Sequence, residues 1–175
     1  MTGDADPCIG PARLFARLLL RELDAETLDE LRQPEVAAAL AEMSIEVPEA
    51  EHLDELGAQF FEMILQPKGH PPLVQSLWND GKYDGDATVA VRQIAEAAGF
   101  ELGAGARKAP VDHLGCLLSL WSELREQGSD WAEPFAQNHL AWVEHSSAPT
   151  APEDRFYGSV LRATAALVAE ICAND

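Results

Sequence analysis

The chain has 175 residues and a mass of 19.0 kDa, with 12 Lys and Arg against 30 Asp and Glu, giving a formal net charge of −18 and an isoelectric point near 4.4. That length suits one domain with its own core, and 47% hydrophobic against 24% charged residues is an ordinary globular mixture. A field this acidic repels nucleic acid and anionic lipid and favours cationic partners, so nucleic acid and direct membrane insertion are set aside.

The opening MTGDADPCIG carries Asp4 and Asp6, no base before Arg13 and no apolar stretch, so no secretory leader is expected there. Apolar runs such as Leu18–Leu20 and Ala163–Ala169 are shorter than a membrane span needs. Cys8, Cys116 and Cys172 are widely spaced without a CxxC pair, which argues against a disulfide framework or a zinc–thiolate site and for a reducing cytoplasm.

Helical periodicity runs through the chain without a convincing alternating strand, so the expected fold is all-α, a single compact multi-helix domain over 1–175. Leu14, Phe15, Leu18 and Leu19 form the apolar face of a first helix. Asp24 is placed to cap a short second helix through Leu28 and Leu31, and Pro34 to open a third with Val36, Leu40 and Met43. Leu53, Leu56, Phe60, Met63 and Ile64 share a face of a longer helix that must end before Pro67.

Residues 67–86 read as a long Pro/Gly-rich loop, with Pro71-Pro72, Asn79-Asp80-Gly81 and Asp84-Gly85 as turn signals around Ser76, Trp78 and Tyr83. Asp86 is expected to cap a helix carrying Val91, Ile94, Ala95 and Ala98, stopped by Gly99, with Phe100 packing back. Pro110 suits the first turn of a helix with Leu114, Leu117, Leu118, Trp121 and Leu124 inward, closed by Gly128. Asp130 and Glu133 resemble a capping box for a helix placing Phe135, His139, Trp142 and Val143 on one side. After a Pro-rich link over 148–152, Phe156 to Ile171 form a wide apolar helical face.

Charge is uneven: residues 1–56 carry a net of −10, a docking face for a basic segment or a merely solvated surface. No phosphate loop, dinucleotide fingerprint, HExxH or GxSxG is present. The one chemical-looking pair is Asp112-His113. At a helix start the carboxylate would meet free N–H groups, but adjacent residues do not share a helix face, so an N-terminal carboxylate beside an ordinary histidine is the commoner arrangement. His139 reads as a core-edge histidine, and His139 with His145 makes a poor metal pair; no cofactor is expected. Trp121, Trp131 and Trp142 read as core or core-edge aromatics. Trp78, on a Pro-bracketed loop, is the aromatic best placed for binding.

Three stretches carry a family likeness: Pro71-Pro72-Leu73-Val74-Gln75-Ser76-Leu77-Trp78 followed by Gly85-Asp86-Ala87-Thr88; Pro110-Val111-Asp112-His113-Leu114-Gly115; and Phe135-x-x-x-His139-Leu140-x-Trp142. In this order, with an opening Leu14-Phe15 helix and a final Phe156-Tyr157 helix, the chain resembles the TorD/DmsD/NarJ family of cytoplasmic chaperones for molybdenum-containing oxidoreductases. The resemblance implies a helical domain, not an enzyme, that binds the N-terminal leader, often of twin-arginine type, of the apo form of an oxidoreductase subunit until cofactor is inserted. It implies a monomer or weak dimer, and a peptide cleft formed by Pro72, Ser76, Trp78, Asp86, Pro110, Asp112 and His113. The family commonly has Glu three residues before the Asp, where this chain has Ala109 preceded by Lys108. Two other readings stay open: a small helical hydrolase using Asp112 and His113, and a generic helical adaptor.

Overall fold

The computed structural model describes residues 6–49, 52–101 and 109–173; Asp4 and Lys108 lie outside them. Nine α-helices appear among the described residues: α1 (Ile9–Leu20), α2 (Ala25–Leu31), α3 (Pro34–Glu42), α4 (Leu53–Phe60), α5 (Gln75–Asp80), α6 (Asp86–Ala97), α7 (Leu114–Glu126), α8 (Ala132–His139) and α9 (Phe156–Ala173). No strand forms among the described residues; one isolated antiparallel bridge joins Val74 to His113. The fold is all-α.

Local rules explain several boundaries. Asp24 caps α2 by accepting from Thr27 N at 2.8 Å, and Pro34 occupies the first turn of α3. Gly99 and Gly128 end α6 and α7 with φ of 64° and 63°, a region open to glycine without penalty.

The core is built on α1, α7 and α9, whose Phe15, Leu18, Leu117, Leu118, Trp121, Tyr157 and Val160 are all buried. α1 and α7 approach closely because position 115 has no side chain: a Cβ on Gly115 would sit 2.6 Å from Leu20 Cγ and 3.0 Å from the Ala16 carbonyl oxygen. The Tyr157 hydroxyl accepts from Leu23 N at 3.2 Å, tying α9 to the α1–α2 turn. α9 is 18 residues long with a mean hydropathy of 1.3, long and apolar enough to cross a membrane, whereas the run at 163–169 looked too short. Half of it is buried inside the fold, as expected of a core helix.

Five sequence expectations need correction. The loop at 67–86 contains a helix, α5, because Asp112 supplies from elsewhere in the chain the cap its own N-terminus lacks. Asp86 does not cap α6; Gly85 holds that position and Asp86 is the first helical residue, exposed. Pro110 does not open α7: its carbonyl accepts from His113 N at 2.9 Å in a turn, and the helix begins at Leu114. The Asp130–Glu133 capping box does not form; Trp131 N instead donates to Ser129 Oγ at 3.3 Å, and Trp131 is 59% exposed rather than at the core edge. α8 stops at His139, so Trp142 and Val143 lie in a separate 3₁₀ turn, Ala141–His145, although both are buried.

Candidate functional site

The connection after α4 is irregular from its start. α4 runs into a π-helical turn, Phe61–Leu65, a local geometry that recurs at functional sites and here leaves Phe61 and Leu65 each 50% exposed. After Pro71 and Pro72 the chain bends at Leu73, where Val74 N donates to Pro72 O at 2.8 Å, and Val74 itself is extended. That segment pairs with the stretch before α7: Gln75 N donates to Asp112 O at 2.9 Å and Leu114 N donates to Leu73 O at 2.8 Å. Two segments almost forty residues apart are thereby locked side by side.

Asp112 and His113 each cap a helix, but not the same one. The Asp112 carboxylate, fully buried, accepts from Ser76 N at 2.9 Å through Oδ2 and so caps α5 across the junction. It does not cap its own helix. His113 does that, its Nδ1 accepting from Gly115 N at 3.1 Å, which places the ring proton on Nε2. Burial pushes the His113 pKa down to about 4 against the opposing charge of Asp112, so the ring is neutral near pH 7. Burial drives the Cys116 thiol one turn away up to about 12, helped by Asp112.

The remaining motif residues join the same junction. Gln75, 2% exposed, donates through Nε2 to Asn138 O at 2.9 Å and accepts at Oε1 from His139 Nδ1 at 3.0 Å, pinning α5 to the end of α8. His139 stays below its ordinary pKa, again through burial. Trp142 Nε1 donates to His139 O at 2.9 Å, and its ring stacks on Trp78 with centroids 6.4 Å apart. Trp78 in turn stacks on His70 at 6.2 Å and donates from Nε1 to Pro72 O at 3.0 Å. Gly85 presses the start of α6 onto α5; a Cβ there would lie 3.1 Å from Ser76 Cβ and overlap the Asp80 carboxylate. The three stretches that carry the family likeness are thus contiguous in space.

Not all seven candidate residues face one opening. Pro72, Pro110 and His113 line a pocket of about 210 Å³, together with Leu19 and Leu20 of α1, Ile64 and Leu65 of the π turn, and Tyr83. Ser76 and Asp112 are sealed beneath the surface, Trp78 is half-buried on the His70–Trp142 side, and Asp86 stands exposed at the α6 N-terminus. Leu65 and Tyr83, 50% and 55% exposed, frame the mouth and had no periodic signal to single them out. Gln75 was equally silent, since a buried glutamine looks like any surface glutamine in sequence. Among the described residues no group of three or more His, Cys, Asp or Glu is arranged to hold a metal.

Residues 20–148 match the family model described as nitrate reductase delta subunit, a span that includes every one of these motif residues. The chain belongs to that family. Nitrate reductase delta subunits and their relatives form a family of assembly chaperones for molybdoenzymes, generally soluble and cytoplasmic. No curated protein matches the chain. Members of the nitrate reductase delta family act with molybdoenzyme subunits, which is consistent with an oxidoreductase partner.

Proposed function

We propose that this chain is a cytoplasmic, non-catalytic chaperone that holds the N-terminal leader, of twin-arginine or related type, of a molybdenum-cofactor oxidoreductase subunit while its cofactor is inserted. The observation that carries the reading is the pocket over Pro72, Pro110 and His113, lined mainly by apolar side chains, built in part from the segments that carry the family likeness and bordered by exposed Leu65 and Tyr83. A leader joins an apolar helix-prone stretch to a basic segment. Its apolar residues suit this pocket, and its arginines suit the exposed carboxylates of Asp86 and of Asp84, the latter shared with Arg92 at 3.8 Å. Such exposed pairs contribute on the order of 0–1 kcal/mol each and act mainly on encounter.

Within this reading Pro72, Pro110 and His113 contact the peptide. Ser76, Asp112 and Trp78 keep the pocket walls in register, and Asp86, exposed at the start of α6 and outside the pocket lining, contributes negative charge toward an approaching leader. Asp112 and His113 serve poorly as hydrolytic groups, because one is wholly buried and the other spends its Nδ1 lone pair on its own helix.

Calorimetric titration with leaders of molybdoenzymes from the same genome, against shuffled controls, tests the proposal. Selective micromolar binding that weakens about tenfold in Leu65→Arg and Tyr83→Ala is expected. Binding of shuffled and authentic leaders with equal affinity would replace it with the adaptor reading.

A further inference from the structure

Away from the junction, the groove between α6 and the α7–α8 turn has no role in the reading above. Its volume is about 610 Å³, within the range of sites that enclose several large apolar groups. The floor is Ala90, Ile94, Ala97, Ala98 and Leu124, and the indole of Trp131, 59% exposed, forms one wall. Small residues at three of these positions are what make the α6 face concave. Val89, 48% exposed, lies one helical turn before Gln93 of the groove lining and adds exposed apolar surface beside it. The groove shares no lining residue with the pocket at Pro72 and His113.

Charge selects the occupant. Exposed Glu96 lies on α6, and exposed Asp130 and Glu133 flank Trp131; no ion pair among the described residues holds any of the three. Nearby cations are engaged elsewhere, Arg92 with Asp84 at 3.8 Å, Arg13 with Glu126 at 2.6 Å and Arg125 with Asp6 at 2.7 Å. A second copy of this chain would bring a further −18 and the same acidic rim against this one, and an anionic lipid surface meets the same repulsion. We propose that this groove is a second docking site, taking a cationic amphipathic segment of another polypeptide whose apolar residues pack on Trp131 and whose basic residues meet Glu96, Asp130 and Glu133.

The probe is a synthetic leucine–lysine amphipathic peptide, with a leucine–glutamate analogue as control, titrated calorimetrically into the full chain at low and high salt. Binding of the lysine peptide alone is expected, weakened about tenfold by Trp131→Ala and by Ala97→Arg, which fills the groove. The doubly substituted Asp130→Lys, Glu133→Lys chain should lose affinity and most of its salt dependence. All these positions are exposed, and an unchanged circular dichroism spectrum checks that each variant folds. Equal binding of the glutamate analogue, or affinities for the lysine peptide within about twofold of wild type in both groove variants, would overturn the proposal. The same variants are titrated with a molybdoenzyme leader. Leader binding left intact by Trp131→Ala supports two separate sites, whereas parallel loss of both peptides overturns the separation. Lysine-peptide binding through Trp131 in a chain that binds no leader supports the groove and removes the leader reading instead.

Discussion

Asp112 and His113 show how two neighbouring side chains acquire different tasks from the direction each one faces. Among the described residues the Asp112 carboxylate is the one side chain that caps α5, because Val74 at its N-cap position offers no side-chain acceptor. Replacing Asp112 by Ala leaves Ser76 N–H buried without a partner, at a cost of about 2 kcal/mol, whereas Asn keeps an acceptor oxygen and costs less. Urea denaturation of the two variants measures the difference. His113 makes a pH prediction. Its pKa falls from the usual 6.5 to about 4 on folding, so between those values the unfolded chain binds the extra proton. Stability is therefore full above pH 6.5 and declines as pH falls toward 4, by up to about 3 kcal/mol from this group, with buried His139 acting in the same direction. His113→Asn retains a capping acceptor and should flatten that decline, a change that denaturation midpoints across the acidic range record.

At the scale of elements, the junction is possible because α1, α7 and α9 form a rigid frame behind it. Gly115 sets the α1–α7 distance, and the clash of an added methyl with the Ala16 carbonyl has no flexible side chain to absorb it. Gly115→Ala should destabilise by about 1–3 kcal/mol. Because Leu20 lines the pocket, it should also lower leader affinity more than an equally destabilising change remote from it. Comparing calorimetric affinity with the melting temperature separates the two effects. Gly158 is a second such position: a Cβ there would overlap the Pro152 carbonyl, so Gly158→Ala should displace the α9 start and lower the melting temperature further than Gly115→Ala does.

Across the whole molecule, a net charge of −18 speeds the arrival of basic segments and discourages self-association. Leader affinity should fall with added salt, chiefly through slower association, and stopped-flow rates at several ionic strengths test this. A salt-independent association rate would assign recognition to the apolar pocket alone.

Sequence reading reached the helical class, most of the buried faces and several helix ends, because these follow from short-range rules: apolar residues at three and four spacing, Asp24 before a helix, Gly99 and Gly128 after one. It also named the junction residues through a family likeness, without showing which of them touch one another. Those contacts belong to the tertiary structure. α5 was invisible because its cap lies in a segment 36 residues away, and a local reading saw only Pro, Asn and Gly. Trp131 reads as a core-edge residue in sequence for a related reason: large aromatics usually reach the core, and only the packed arrangement of α6, α7 and α8 leaves this one at a groove. Periodicity reports which face of a helix is apolar, while the partner of that face, and the identity of each cap supplied from afar, depend on chain segments that meet only when the whole molecule is folded.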